Sequence, residues 1–183
     1  MTHEPVDQEE ELLVVVDEHD RPIGIASRSQ CHREGLIHRS VGVVVFNSTG
    51  KVLFQRRSKN KDLYPRKFTL SATGHVEVGE SYREAAHREL REELGLSCEL
   101  KFVGTIPALS LSHDKEFVGL FSCVTEKDPQ FNKAEIEEVM FIEPDWLFNS
   151  QTRSLLAEGL LCILEDPLTR PQILQLLGLV NKD

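Results

Sequence analysis

Three glutamates at helical spacing are the first feature of this chain that could do chemistry. Glu89, Glu92 and Glu93 lie in the segment AAHRELREELGL. In a helix that turns by about 100° per residue, they share one narrow face. Like charges at this spacing repel unless a cation lies on them, and Mg²⁺ binds carboxylate oxygens together with water and phosphate. The spacing fits a metal site, and it also fits an exposed acidic helix with ordinary ion pairs.

The sequence around these acids predicts one helix with defined ends. Ser81 followed by Glu84 is a capping box, which satisfies the first free N–H groups of a helix. Gly95 is the residue type that ends one. We therefore predict a helix from Tyr82 to Leu94, with its apolar side against the core.

Residues 74 to 96 also fit a longer pattern of glycines, acids and one arginine. The pattern is G-x5-E-x7-R-E-U-x-E-E-x-G-U, where U is a bulky aliphatic residue. Every fixed position is matched, by Gly74, Glu80, Arg88, Glu89, Leu90, Glu92, Glu93, Gly95 and Leu96. This stretch resembles the Nudix box.

That resemblance implies an α+β fold, an α/β/α sandwich with a mixed β-sheet, in which the box is a loop, a helix and a loop. It implies that the metal ligands are Glu89, Glu92, Glu93 and the carbonyl of Thr73. Structural roles in the box would fall to Gly74, Glu80 and Gly95, while Arg88 would orient the acids and contact substrate. Such enzymes use Mg²⁺ or Mn²⁺ to cleave a nucleoside diphosphate linked to another group, by attack of water on phosphorus.

The attacking water must also lose a proton to a carboxylate. Glu89 is one candidate for this base, and Asp114, Glu116, Glu137 and Glu138 are downstream candidates. Each downstream acid is equally compatible with an ordinary surface position. The choice among them stays open at this point.

The strand end QRRSKNK holds the one cationic cluster of an acidic chain. Arg56, Arg57 and Lys61 are candidates for contacts with substrate phosphates, with Lys59 between them. The alternative is a charged loop that keeps a hairpin end solvated.

The similarity extends upstream to the Nudix proteins that resemble isopentenyl diphosphate isomerase. It is seen in VVDEHDRPIGIASRSQCHREGLIHRSVGVVVFN and QRRSKNKDLYPRKFTLSATGH. It implies a second metal site from His38, His75 and Glu116, with Asp114 and His32 as looser matches, although structural histidines fit equally well. The catalytic cysteine of the isomerase would stand where this chain has Thr73. Because a hydroxyl is a far weaker acid than a thiol, the threonine favours hydrolysis over isomerisation.

The rest of the chain predicts the elements that hold these residues. Strands are expected at Leu12–Val16 with Ile23–Ala26 as a hairpin, Val41–Phe46 with Val52–Arg56 as a second hairpin, Phe68–Ala72, Cys98–Ile106, Glu116–Val124 and Val139–Glu143. One short helical turn or a loop is expected within Ser29–Gly35. A helical end is expected from Asp145, with one helix presenting leucines 155, 156, 160, 161 and 164 and another within Pro167–Leu179.

Composition sets the outer bounds. With 183 residues, of which 40% are hydrophobic and 28% charged, we expect one globular domain over residues 11–183 after a flexible segment 1–10. The net charge of −9 argues against a nucleic-acid polymer as partner. The four cysteines are widely spaced, which favours reduced thiols. With no signal peptide and no membrane span in the sequence, we expect a cytoplasmic protein.

Three function classes follow. The first is a metal-dependent hydrolase whose partner is a small-molecule diphosphate or nucleotide. The second is an isopentenyl diphosphate isomerase, and the third is a diphosphate-binding module without catalysis. A homodimer is compatible with each.

Overall fold

An antiparallel hairpin and a short helix open the computed structural model, which describes residues 11–107 and 115–179. Strand β1 (Leu12–Val16) pairs with β2 (Pro22–Ser27), as the sequence predicted. Helix α1 (Arg28–Glu34) starts at the hydroxyl of Ser27 and ends at Gly35, whose φ of 64° is left-handed. A backbone hydrogen bond from Val78 N to Leu12 O (3.2 Å) seats the hairpin beside the box loop.

A seven-stranded mixed sheet forms the centre of the fold. Its strands are β3 (His38–Phe46), β4 (Val52–Arg57), β5 (Phe68–Thr69), β6 (Ala72–His75), β7 (Lys101–Ile106), β8 (Glu116–Val124) and β9 (Ile136–Ile142). The order is β5-β4-β3-β8-β7, with β6 paired to β3 and β9 paired to β4. Only β3 and β8 run parallel among these pairs, so the predicted mixed sheet is confirmed.

The predicted second hairpin is wrong beyond its turn. β3 and β4 are in register only at Phe46 and Val52; β3 then pairs with β8 and β6, while β4 pairs with β9 and β5. Ser71 bridges the gap, since its Oγ accepts from Val45 N at 2.8 Å and donates to Leu53 O. The predicted strand from Phe68 to Ala72 is accordingly split, with β5 on one side of this crossing and β6 on the other.

Two layers of helix cover the sheet, as the α/β/α prediction required. Helix α2 (Tyr82–Leu94) packs Leu90 against Val43 and Val45 on one face. Helices α3 (Glu158–Glu165) and α4 (Arg170–Leu176) cover the other face, where Val44 lies. The alternation along β3 therefore divides two cores, because successive strand residues point to opposite faces.

Several element ends differ from the sequence prediction. β3 begins at His38, β7 begins at Lys101 instead of Cys98, and β9 begins at Ile136. The leucine-rich C-terminal segment is not one helix: a 3-10 turn at Arg153–Leu155 precedes α3, which begins only at Glu158. No helix among the described residues is long and apolar enough to cross a bilayer.

Candidate active site

The ends of α2 are formed as the sequence predicted. Ser81 Oγ accepts from Glu84 N at 3.3 Å, and the Glu84 carboxylate accepts from Ser81 N at 2.8 Å, which completes the capping box. Gly95 ends the helix with a φ of 63° and donates its N–H to Arg91 O. Both caps fix the rotation of the helix and hence the direction of its acids.

The three acids of α2 lie in different surroundings. Glu89 is 9% exposed and Glu93 is 3% exposed, whereas the side chain of Glu92 is 55% exposed. The Glu89 carboxylate lies directly against the backbone of Gly74: a Cβ added at Gly74 would stand 2.0 Å from Glu89 Oε1. Only glycine lets the box loop approach the helix this closely.

Glu93 is held by two donors from the sheet. Gln55 Nε2 donates to Glu93 Oε2 at 2.7 Å, and Thr73 N donates to the same oxygen at 3.0 Å. Burial and the neighbouring Glu89 raise the pKa of Glu93 to about 8. Burial likewise raises the pKa of Glu89 to about 7, against the opposing effect of Arg88. Two adjacent buried acids with raised pKa values fit a site that takes up a cation.

Gln55 was not identified from the sequence. It is 1% exposed and also donates to Ser71 O at 3.2 Å. The signal that could have found it is strand alternation, since Gln55 shares a face of β4 with the core residue Leu53 and a buried amide needs partners.

Arg88 joins the acids of the box to its loop. Its Nε and Nη2 donate to both carboxylate oxygens of Glu80, at 2.8 and 2.9 Å, and Nη2 also donates to His75 O at 2.9 Å. Nη1 donates to Glu89 at 2.6 Å and to Glu92 at 3.3 Å. These hydrogen bonds of the guanidinium all go to residues of the box, which suits an orienting role more than a direct contact with substrate.

A second cluster of possible metal ligands lies at the start of β3 and β8. One ligand atom from each of His32, His38, His75 and Glu116 lies within 4.8 Å of the others. The pairing of β3 with β8 places His38 opposite Glu116, and the pairing with β6 places Ser40 opposite His75. Ser40 Oγ donates to Glu116 Oε2 at 2.9 Å.

The ring orientations in this cluster suit metal binding. His38 is fully buried and its Nδ1 lies 2.9 Å from Leu36 O, which fixes that nitrogen as the donor. Within the described part of the chain its Nε2 has no hydrogen-bond partner, and it points toward Glu116 Oε1 at 3.4 Å. Metal-binding histidines commonly have one nitrogen fixed by a carbonyl or carboxylate in this way. The orphaned Nε2 therefore fits a metal ligand.

Glu11 completes the cluster and was missed by the sequence analysis. Its carboxylate lies 3.3 Å from His75 Nδ1, leaving His75 Nε2 directed at Glu116 Oε1, 3.4 Å away. Burial lowers the pKa of His75, but hydrogen bonds to Glu11 and Glu116 outweigh it and raise that pKa to about 9. Burial and the charge of His75 lower the pKa of His32 to about 4. Glu11 carried no motif signal, since only the folded hairpin brings it to the box.

A cavity of about 260 Å³ connects the two clusters with part of the cationic segment. Glu89, Glu92, Glu116, Arg57 and Lys61 all line it. Its far wall is apolar and is formed by the C-terminal helices and the sheet, with Leu70, Val118, Leu160 and Ile163.

Other candidates from the sequence lie elsewhere. Arg56 is not among the described residues that line the cavity, and its Nε lies 2.8 Å from Glu138 and 3.5 Å from Glu137 on β9. Arg56 therefore forms ion pairs with these two acids. Asp114 lies outside the described residues.

Comparison with known proteins places this site in a family. A model of the NUDIX domain matches residues 36–159, which include both clusters except His32 and Glu11. The chain belongs to the Nudix family. The resemblance drawn from the box is thereby confirmed, and the helix that bears the box acids is the Nudix helix.

The similar proteins carry two kinds of name, isopentenyl-diphosphate Delta-isomerase and uncharacterized Nudix hydrolase. An isopentenyl-diphosphate Delta-isomerase from Photorhabdus laumondii is 36% identical over 141 residues, covering 73% of this chain and 77% of the relative. An uncharacterized Nudix hydrolase from Pseudomonas aeruginosa is 37% identical over 150 residues, covering 79% and 85%. A crystal structure from Deinococcus radiodurans superposes with a TM-score of 0.74 at 26% identity, covering 88% of this chain and 98% of that one. The chain thus lies in the isomerase-like branch of the Nudix family, as the upstream similarity predicted.

Proposed function

We propose that this protein is a divalent-metal-dependent hydrolase that cleaves a phosphoanhydride bond in a small diphosphate, either a nucleoside diphosphate derivative or a related compound. The observation that supports this most directly is the box itself. Every fixed position is present, and Glu89 and Glu93 are buried side by side against the Gly74 loop. Ionisation of both carboxylates destabilises the folded protein unless a cation binds beside them.

Glu89, Glu92, Glu93 and the Thr73 carbonyl would hold Mg²⁺ or Mn²⁺ in this proposal, since hard cations prefer oxygen ligands. A bound divalent ion supplies a lower pKa for coordinated water and neutralises charge on phosphoryl oxygens. His38, His75 and Glu116 form a second metal site in the same proposal, with His32 beside them.

The chain's own residues supply the remaining functions. Arg57 and Lys61 contribute positive charge to the cavity, where phosphate oxygens would lie. The apolar wall of Leu160 and Ile163 gives room for the organic group of the substrate. Water attacks phosphorus and must lose a proton to a carboxylate; of the candidates, only Glu89 and Glu116 are described as lining the cavity. Asp114 lies outside the described residues, so the proposal takes its base from the described candidates Glu89 and Glu116.

The test is metal-dependent turnover by single variants of the box acids. The substrates are nucleoside diphosphates and triphosphates, sugar nucleotides, dinucleotides and coenzyme A, with products identified by mass spectrometry. We expect Glu92→Gln and Glu93→Gln to lower kcat/KM at least about 100-fold on the best substrate, because each removes a carboxylate from the metal. Glu99→Gln, at an exposed position outside the box, is the matched control. Wild-type rates in the folded box variants would refute the assignment.

A second function, isopentenyl diphosphate isomerisation, is favoured by the histidine cluster and by the isomerase name of the Photorhabdus relative. The residue at the position of the isomerase cysteine argues against it: Thr73 has no thiol, and its N–H is committed to Glu93. Incubation with isopentenyl diphosphate, followed by detection of dimethylallyl diphosphate, decides between them. Tight diphosphate binding without turnover of either kind would instead support a binding module.

A further inference from the structure

Two cysteines meet on the side of the sheet that faces α2. Cys98 follows that helix and Cys123 lies near the end of β8, and their sulfur atoms are 2.7 Å apart across a separation of 25 residues. None of the four cysteines forms a disulfide in the structure. Neither residue of this pair lines the cavity described above. The pair is therefore separate from the candidate active site.

The two thiols differ in how water and reagents reach them. Cys98 is partly exposed, whereas Cys123 is 6% exposed and packs in the core cluster beneath α2. Burial and the neighbouring Cys98 raise the pKa of the Cys123 thiol. An oxidant in solution therefore meets Cys98 first, with Cys123 already beside it, which is the arrangement of an attacking and a resolving cysteine.

We propose that Cys98 and Cys123 are a redox modification site, oxidised by peroxides to an intramolecular disulfide within the native fold. The sulfurs need to approach by less than about 1 Å to reach bonding distance. The other two cysteines lack this geometry: Cys31 is buried beneath the N-terminal hairpin and Cys162 lies on α3 in the opposite core.

The chemistry balances with hydrogen peroxide as the oxidant. The Cys98 thiolate attacks one peroxide oxygen, so that an S–O bond forms, the O–O bond breaks, and the departing hydroxide takes a proton to become water. The Cys123 sulfur then attacks the Cys98 sulfenic acid. The S–S bond forms, the S–O bond breaks, and a second water leaves with the proton of the Cys123 thiol. Two thiols lose two electrons in total, and one peroxide is reduced to two waters.

The bond would join the segment after the Nudix helix to the strand that begins with Glu116. Because it closes a loop of moderate length, it should restrict the unfolded chain more than the folded one. We expect the apparent unfolding temperature to rise by about 5–10 °C on oxidation and to return on reduction.

The experiment treats the reduced full-length chain with hydrogen peroxide, then unfolds it, alkylates it and measures its intact mass. We expect the number of alkylated cysteines to fall from four to two, with a Cys98–Cys123 linkage in the peptide map. A Cys31→Ser, Cys162→Ser double variant should form the same bond. Cys98→Ser should keep Cys123 alkylatable. It is less disruptive to folding than a change at the buried Cys123, because position 98 is partly exposed.

Three outcomes would overturn the proposal. One is the absence of any linkage after peroxide treatment, whether four thiols remain alkylatable or Cys98 is converted to sulfinic acid. Another is a linkage that uses Cys31 or Cys162. The third is a Cys98–Cys123 bond that lowers the unfolding temperature, because that bond would then form only by distorting the fold.

Discussion

Replacing Glu93 by glutamine should stabilise the metal-free protein at alkaline pH. The Glu93 side chain is 3% exposed and accepts from Gln55 Nε2 and Thr73 N. A glutamine oxygen can accept both of these hydrogen bonds, so the substitution removes the charge and keeps the contacts. It also removes a proposed metal ligand, so the expected stabilisation applies to the metal-free protein.

The sign follows from the pKa of Glu93, which is raised from 4.5 to about 8. The folded state binds this proton more tightly than the unfolded chain. The stabilisation from this group is therefore fully present below about pH 4.5 and is lost as pH rises through about 8. At 1.36 kcal/mol per unit of pKa shift, the wild-type protein should lose about 2–3 kcal/mol between about pH 5.5 and pH 8 from this group. That loss corresponds to about 5–10 °C in unfolding temperature for a chain of this size.

The assay is thermal unfolding in a chelator at several pH values, read as the difference between wild type and Glu93→Gln. Taking the difference cancels contributions that both proteins share, such as the titration of His75. The difference should grow with pH and reverse when Mg²⁺ is added, since only the wild type binds the ion with full affinity. Glu99→Gln, at an exposed position outside the box, is the control and should show a much smaller change with pH. Parallel curves for wild type and Glu93→Gln would refute the reasoning.

Three further changes test other parts of the site. Gly74→Ala should lower metal-dependent turnover by about 10–100-fold, because its Cβ would occupy the position of a box carboxylate; turnover at the wild-type level would contradict the packing argument. Arg88→Met should destabilise the chain by about 3 kcal/mol in denaturant unfolding, since it leaves buried acids unpaired, whereas the exposed Arg91→Met should change stability by less than about 0.5 kcal/mol. Glu11→Gln should lower the pKa of His75 from about 9 by roughly one unit or more, measured by NMR titration of the metal-free protein; an unchanged value would remove Glu11 from the cluster.

Local chemistry made part of this fold predictable. The capping box at Ser81 and the glycine at 95 fixed the bounds of α2, because both act within one turn of the chain. The N-terminal hairpin was equally predictable from its turn and its β-branched run. These features depend on residues close in sequence.

Pairing between distant strands was not predictable in the same way. The turn at residues 47–50 indicated a hairpin, yet β3 pairs along its length with β8, whose residues lie 78 positions later in the chain. Only that pairing brings His38 to Glu116, and only the docked hairpin brings Glu11 to His75. The resemblance to a family supplied His38, His75 and Glu116, while Gln55 and Glu11 came from the structure alone.

Strand β6 carries residues that contact the box acids and also one residue of the histidine cluster. Thr73 and Gly74 contact the box acids, while the next residue, His75, belongs to the histidine cluster. Arg88 ties the two further, since it donates both to Glu89 and to the His75 carbonyl. A shift of the box loop therefore moves ligands of both clusters at once. In the proposed two-metal site, an ion bound at one cluster would restrict the strand that carries residues of the other, so we expect the two binding events to be coupled.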